Sequence, residues 1–273
     1  MKRTVTAASS HLLLIVLSII SLYPLWFVVQ TALKTNSAFT LNPTGLPSAP
    51  TLSNLSSLLA QMPFLRWTSN SALVTLISVG AATILSVFAA YAVVFGRFFG
   101  RRAFFSLNIG LIAIPPVALL VPLFAVMVQV GLINTLPSVM LIYTGLMIPF
   151  SVFFLANFFR ELPRELIEAA TVDGASHGRI LMRIVMPLSL PTVFTLVIVN
   201  AIWVWNELLY ALVFLQNNSA RTLMAGLALS QGRFATNEPL IMTGVLLSIL
   251  PMIILYLGSQ RFFVRGLTAG IGK

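Results

Sequence analysis

The chain has 273 residues, of which 58% are hydrophobic and only 8% are charged. Ordinary soluble domains carry about 25% charged residues, so this composition excludes a soluble globular protein and predicts an integral membrane protein. The chain has no cysteine, which excludes disulfides and Cys-based metal sites, and its net charge of +10 must be interpreted by the positions of the basic residues.

Long apolar runs predict six membrane-spanning helices, because one helical crossing needs about 20 apolar residues. The predicted spans are residues 12–33, 71–95, 103–130, 138–159, 191–215 and 240–259. Together they predict an all-α membrane protein with a single transmembrane domain over residues 1–273. The first apolar run is longer than the core of a typical signal sequence, so we expect it to be retained as a helix.

The basic residues divide unequally between the two sides of this arrangement. Six spans place both termini on one side of the membrane, and that side holds 12 of the 16 Lys and Arg residues. The other side holds Lys34, Arg66, Arg221 and Arg233. Basic residues near short loops resist translocation, so the positive-inside rule predicts that both termini are cytoplasmic.

Proline occurs inside several predicted spans: Pro115, Pro116 and Pro122 in the third, Pro149 in the fourth and Pro251 in the sixth. Each removes a backbone donor and predicts a kink, which a membrane tolerates only where neighbouring groups satisfy the freed carbonyl. Ordinary bundle packing explains such kinks. The alternative is that they bend the third helix around a translocation path.

The loop between the fourth and fifth spans, residues 160–190, predicts two short helices rather than a simple connection. Pro163 favours the start of the first helix, and Gly174 favours its end because glycine readily adopts the left-handed conformation of a helix stop. Ser176 can cap the second helix, which we expect Pro187 to end.

The second helix of this loop carries an apolar stripe formed by Ile180, Leu181, Ile184 and Val185. Such a stripe needs a surface to cover it. Acidic residues of the loop balance its basic ones, so anionic lipid attracts the loop weakly and a cleft on another protein is the better host. Packing on the chain's own bundle is the alternative.

The same loop contains a recognisable motif, in which Glu168-Ala169-Ala170 is followed by Gly174, Ile184 and Pro187. In this pattern the chain resembles the permease subunits of ATP-binding-cassette (ABC) importers, although Met186 replaces the usual leucine. The segments LVPLF, GLINT, WNELLYALVFL and QRFFVRGLTAG extend the resemblance over most of the chain. They are similar to the carbohydrate-uptake branch and its smaller maltose-permease component. We call residues 160–190 the EAA loop.

The resemblance implies a type I importer (MetI-like) permease fold in the bacterial cytoplasmic membrane. It implies a second homologous permease, two ATPase subunits, an extracytoplasmic sugar-binding protein and membrane lipid as partners, and no nucleic acid. ATP and Mg would be bound by the ATPases, and no cofactor by this chain. The EAA loop would be the coupling helix that contacts an ATPase, with contact residues Glu168, Ala169, Ala170, Asp173, Gly174, Ala175, Leu181, Ile184 and Pro187.

Glu207 is the only acidic residue inside a predicted span, where a charge costs about 2.5–3.5 kcal/mol at mid-bilayer. Its distance from the start of the fifth span places it toward the outer interface, as Trp203 and Trp205 also indicate. Two interpretations stay open. Glu207 is a structural polar anchor, or it belongs to a sugar path with Trp203, Asn206 and Tyr210.

Two other functional classes have less support. A self-sufficient secondary transporter predicts buried coupling carboxylates or inverted repeats, and neither is visible in the sequence. A membrane enzyme predicts paired carboxylates, a His cluster or a nucleophile with its base, which the spans lack. The chain also has no GxxxxGK[ST] phosphate loop, so it is not expected to hydrolyse ATP by itself. Within the leading class, glycerol phosphate or another polyol is an alternative cargo.

Overall fold

The structure is a computed structural model that describes residues 2–233 and 237–269, with side chains for residues 11–232 and 237–258. Its helices, in chain order, are α1 (Lys2–Ala32), α2 (Asn36–Leu41), α3 (Ser53–Gln61), α4 (Phe64–Phe95), α5 (Arg101–Ile112), a 3-10 turn (Pro116–Leu119), α6 (Leu120–Gln129), α7 (Leu136–Glu161), α8 (Arg164–Val172), α9 (His177–Ile180), a π segment (Leu181–Val185), α10 (Met186–Asn206), α11 (Leu209–Phe214), α12 (Leu223–Arg233) and α13 (Glu238–Ala269). No strand occurs in these two ranges, which confirms the all-α prediction.

Five continuous helical segments are long and apolar enough to cross a membrane. They are His11–Ala32, Phe64–Phe95, Leu136–Glu161, His177–Asn206 and Glu238–Gly258. A sixth crossing exists only if α5 and the helix Pro116–Gln129 form one broken span, because their axes meet at 98°. The predicted third span, residues 103–130, with its predicted kinks, thus consists of two helices with a sharp break between them. The break lies at Pro115 and Pro116, since proline lacks an N–H and disfavours helical conformation in the residue before it.

The fifth helical segment is displaced from its predicted position at residues 191–215. It begins at His177, inside the EAA loop, and ends at Asn206, because Glu207 takes an extended conformation with φ −68° and ψ 125°. The short helix α11 follows as a separate element. The described chain divides into two compact units, one built from residues up to Arg66 with 226–251, the other from 67–225 with the residues after 251.

In the first unit, side chains from the segment that follows α1 satisfy the end of that helix. Asn54 donates hydrogen bonds to Ala32 O at 2.8 Å and to Lys34 O at 2.7 Å. The buried Lys34 ammonium donates to Asn42 O and Pro43 O at 2.8 and 2.9 Å. Burial lowers the pKa of Lys34, and the two carbonyl oxygens compensate part of the lost hydration. These bonds hold the proline-rich segment against the end of α1.

In the second unit, α7 packs against both α5 and α10. Polar side chains cross both contacts: Asn108 Nδ2 donates to Pro149 O at 2.8 Å, and Asn200 Nδ2 donates to Ser151 Oγ at 3.0 Å. Asn200 and Ser151 are both buried, so no water replaces this bond if it is broken. The α7–α10 pair is consequently fixed in register where Asn200 meets Ser151.

We expect Asn200→Leu to lower the stability of the protein by about 1 kcal/mol, because interhelical polar bonds in membrane proteins are typically worth about 0.6–2 kcal/mol. The thermal midpoint in detergent is the measurement. Thr195→Val is the matched control, since Thr195 Oγ1 bonds only within its own helix, to Pro191 O at 2.9 Å. Equal midpoints for the two variants would show that the α7–α10 bond contributes nothing.

Candidate functional site

The first helix of the EAA loop, α8, ends in a turn with two defined backbone hydrogen bonds. Gly174 has φ +76°, its N–H donates to Thr171 O at 3.0 Å, and Ala175 N donates to Ala170 O at 2.9 Å. This pair of bonds is a Schellman motif, which satisfies the last carbonyls of a helix and requires a left-handed residue. The predicted glycine stop is confirmed. The next helix, α9, begins three residues after Gly174, at His177.

The second helix of the EAA loop is continuous with α10. α9, the π segment and α10 form one segment from His177 to Asn206, so the prediction that Pro187 ends the second helix is wrong. Proline cannot donate an i→i−4 bond, and Pro187 stands where the hydrogen bonding changes from the π to the α pattern, at Met186. The second half of the loop is therefore the start of a membrane-spanning helix.

The apolar stripe of this helix is covered by the chain itself. Ile180, Leu181 and Val185 are buried in a cluster with residues of α4, α7 and α10. Leu181 is only 2% exposed, and Ile184 is partly buried against the same cluster. The prediction that Leu181 contacts an ATPase directly is thus corrected, because its side chain has no surface left for a partner. Packing on the chain's own bundle, the alternative interpretation of the stripe, is what the structure shows.

An aromatic contact adds to this attachment. A hydrogen bond of 3.2 Å joins Tyr91 Oη of α4 to His177 Nδ1 at the first residue of α9, and the two rings lie edge to face with centroids 6.1 Å apart. Tyr91 is buried and His177 is exposed. The sequence alone singles out neither residue, since Tyr91 is one aromatic side chain among many in an apolar helix. The pair fixes the start of the second helix to α4.

The predicted contact residues of the EAA loop differ in their accessibility. Those with exposed side chains or backbone are Glu168, Ala169, Asp173, Gly174 and Pro187, while Ala170 and Ala175 are partly buried. Leu166 and Val172 of α8 are also exposed, at 46% and 88%, although the sequence analysis assigned them no role. These two apolar side chains are not covered by the described part of the chain.

A cavity of about 640 Å³ lies beside α8, where α4 and α7 end and α5 begins. Its charged lining residues are Arg97, Arg101, Arg160, Arg164 and Glu168. The four arginines come from two stretches of chain about 60 residues apart, so only the folded protein brings them together. The predicted charge balance of the EAA loop does not extend to this cavity, which carries one carboxylate against four guanidinium groups.

Glu207 lies in a network of hydrogen bonds between α10 and α11. Tyr143 Oη donates to Glu207 Oε2, and the backbone N–H groups of Tyr210 and Ala211 donate to its two carboxylate oxygens at 2.9 and 3.2 Å. The carboxylate thus caps the N-terminus of α11, where the helix dipole favours negative charge. These contacts favour the structural anchor over the sugar path for Glu207.

The other predicted path residues have different surroundings. Tyr210 is buried, and its hydroxyl donates to Pro116 O at 2.6 Å, beside the break in the third span. Asn206 is exposed and bonds to Ile202 O of its own helix at 2.8 Å. Trp203 is 38% exposed and lies edge to face with Tyr143. Of the four predicted path residues, Trp203 and Asn206 are thus exposed, Glu207 is partly buried and Tyr210 is buried. Among the described residues, no three His, Asp or Glu side chains are grouped as metal ligands.

Known proteins similar to this chain identify its family. Residues 82–269 match the family described as binding-protein-dependent transport system inner membrane component. A sulfoquinovosyl glycerol transport system permease protein of Agrobacterium fabrum is 38% identical over 256 residues, covering 93% of this chain and 90% of that protein. An arabinooligosaccharides transport system permease protein of Halalkalibacterium halodurans is 31% identical, covering 99% of both chains.

A solved structure supports the fold. A chain of a bacterial ABC transporter involved in the import of alginate superposes with a TM-score of 0.83 at 24% identity, covering 96% of this chain and 98% of the other. The resemblance inferred from the EAA loop is confirmed, as is the permease fold. This chain belongs to the family of binding-protein-dependent transport system inner membrane components, which are permease subunits of ABC transporters and not enzymes.

Proposed function

We propose that this chain forms half of the translocation path of an ATP-driven carbohydrate importer in a bacterial cytoplasmic membrane, with both termini in the cytoplasm. The relatives named for sulfoquinovosyl glycerol and arabinooligosaccharides support a carbohydrate cargo. The unequal distribution of basic residues supports the orientation. A polyol such as glycerol phosphate is the second candidate cargo, and it needs the same type of subunit.

In this proposal the chain works with a second homologous permease, two ATPase subunits that bind ATP and Mg, and an extracytoplasmic sugar-binding protein. The family description, which names a binding protein, supports the last of these. The missing phosphate loop supports a separate ATPase. A self-sufficient secondary transporter remains the alternative, and it predicts that the purified chain alone transports solute.

The observation that carries the proposal is the different attachment of the two helices of the EAA loop. The second helix is buried against α4 and α7 and continues into α10. The first helix, α8, has no buried residue and joins the second through the turn at Gly174. A partner that moves α8 would therefore move α10 with it, provided that the turn is rigid. This arrangement fits a lever between an ATPase and the bundle.

The docking surface in this proposal is the exposed side of α8. Leu166, Ala169 and Asp173 share one face of this helix at positions i, i+3 and i+7, and all three are exposed. Glu168 lines the basic cavity instead, where it can accept a hydrogen bond from a basic residue of the ATPase or of this chain. Ala169 and Ala170 have small side chains, which permit close approach of a partner.

For the substrate path, we propose that Trp203 and Asn206 contact the solute, because aromatic faces and amides suit the C–H faces and hydroxyls of sugars. Glu207 and Tyr210 would support them by fixing the break between α10 and α11. Their hydrogen bonds to Tyr143 and to Pro116 O are the evidence for this division of roles.

The rigidity of the Gly174 turn is testable by comparing Gly174→Val with Gly174→Asn. Nothing lies within 4 Å of a Cβ at this position, so the test isolates backbone conformation from steric crowding. A left-handed conformation costs an ordinary L residue about 1–2 kcal/mol and a β-branched one more, whereas asparagine tolerates it. We expect Gly174→Val to reduce ATP-driven uptake by about tenfold or more and Gly174→Asn to retain most of it.

Uptake is measured with the complete transporter in vesicles, alongside ATP hydrolysis and the amount of inserted subunit. Coupling through the turn requires that Gly174→Val inserts normally and loses uptake relative to hydrolysis. Full uptake by Gly174→Val would remove the lever role, and transport by this chain without an ATPase would support the alternative class.

The role of Glu207 is testable with Glu207→Gln and Glu207→Ala. Glutamine keeps an acceptor for the N–H groups at the start of α11, while alanine removes it. We expect Glu207→Ala to lower the thermal midpoint by the equivalent of about 1–2 kcal/mol, as other lost helix caps do, and Glu207→Gln to lower it less. The sugar concentration for half-maximal stimulation of ATP hydrolysis should stay within about twofold in Glu207→Gln. A large change there with normal stability would instead place the carboxylate in the sugar path.

A further inference from the structure

The basic cavity beside α8 has a charge that the chain's own residues do not balance. Arg97, Arg101, Arg160 and Arg164 line it together with a single carboxylate, Glu168. Like charges gathered around one space repel each other, and an anion in that space would remove the repulsion. From this geometry we propose that the cavity binds a phosphate group, with the headgroup of an anionic phospholipid as its source.

Neutral groups hold two of these arginines in position. Arg101 Nη1 donates to Gly96 O at 2.8 Å, and Arg160 Nη1 donates to Asn157 Oδ1 at 3.3 Å. The Arg160 guanidinium also lies over the ring of Phe105, 4.4 Å from its centroid. A guanidinium has five N–H donors in a fixed fork, so these contacts orient the groups and leave further donors for phosphate oxygens.

The helix ends around the cavity favour an anion in the same place. α5 begins at Arg101 and α8 begins at Arg164, and neither helix has a side-chain cap at its N-terminus, although α8 carries Glu165 in its first turn. Free N–H groups and the positive end of the helix dipole attract negative charge. In α5, which has no acidic residue in its first turn, arginine at the first position has the unfavourable sign for the dipole. A bound phosphate would accept hydrogen bonds from the uncapped N–H groups and would offset the unfavourable arginine charge at the start of α5.

The surroundings of the cavity indicate a lipid as the source of the phosphate. Phe98 and Phe99, which lie between Arg97 and Arg101, are 47% and 105% exposed. Leu107 on α5 is exposed as well. Large apolar side chains next to a basic cavity match a phospholipid, whose acyl chains would lie along α5 while its headgroup enters the cavity. A volume of about 640 Å³ is ample for a headgroup.

A carboxylate of the ATPase partner is the competing occupant, because α8 is the proposed docking helix. Docking on α8 does not by itself account for exposed phenylalanines on the separate segment between α4 and α5. The lipid accounts for both the arginines and the phenylalanines. The membrane orientation of the proposed function decides only which leaflet supplies the lipid. Lipid binding in the cavity can therefore be disproved while the importer function holds.

The test compares Arg97→Gln/Arg164→Gln with the matched control Arg179→Gln/Arg183→Gln. Both variants lose two positive charges. The control loses them at two residues of the EAA loop that do not line the cavity. Arg101 and Arg160 stay unchanged because they bond to this chain's own Gly96 and Asn157. The purified full chain is mixed with phosphatidylcholine micelles containing increasing phosphatidylglycerol, with phosphatidylcholine alone, or with inorganic phosphate. Retained lipid is counted by native mass spectrometry and the thermal midpoint is recorded.

We expect the wild type to retain phosphatidylglycerol and to gain thermal stability from it, and the control variant to do the same. If each cavity arginine that contacts the phosphate contributes roughly fivefold in affinity, the cavity variant, which lacks two of them, should bind about 25-fold more weakly. Inorganic phosphate is the second probe. If it stabilises the wild type but not the cavity variant, the cavity binds phosphate and a free anion, rather than a lipid, is its source. Equal retention and stabilisation in both variants would overturn the proposal. It would also be overturned if a co-purified ATPase displaced all retained lipid, since the cavity would then belong to the docking site. A folded cavity variant is recognised by an unchanged midpoint in phosphatidylcholine.

Discussion

Burial of the second helix of the EAA loop is the contact on which the remaining features of this unit depend. Ile180, Leu181 and Val185 lie among residues of α4 and α7, and each buried side chain of this size contributes about 1.5–3 kcal/mol. The turn at Gly174 is held by two backbone hydrogen bonds, each worth about 0.5–1.5 kcal/mol net. The second helix is therefore attached to the bundle more strongly than the turn is held, so in the proposed lever the rigidity of the turn decides whether a displacement of α8 reaches α10.

The break in the third span and the break after α10 are connected. Proline opens the third span between α5 and α6, and the Tyr210 hydroxyl, on the short helix after the second break, donates to Pro116 O. Glu207 fixes that short helix through the N–H groups of Tyr210 and Ala211. Irregular backbone at membrane depth persists only where protein groups or water satisfy it. The two irregular regions are thus joined to each other by a hydrogen bond between protein groups.

The same loop serves two surfaces with different chemistry. One side of α8 presents Leu166, Ala169 and Asp173, a mixed surface suited to another protein. The neighbouring side, with Arg164 and Glu168, faces the basic cavity. A lipid headgroup bound in that cavity would contact the helix that we propose as the lever, and in that proposal membrane composition acts on coupling through this contact.

The sequence by itself determined the all-α class, the approximate number of spans and the EAA loop with its glycine stop, because these depend on apolar run length and on local backbone preferences. It predicted kinks in the third span at Pro115 and Pro116, but not that the carbonyl of Pro116 would accept a hydrogen bond from Tyr210, 94 residues away. It also predicted that Leu181 faces a partner, since periodicity identifies an apolar stripe but not the surface that covers it. The tertiary structure alone decided the contact of Tyr91 with His177 and the gathering of four arginines in one cavity. Both join segments that are far apart in the chain, and no local pattern records which distant segments will meet.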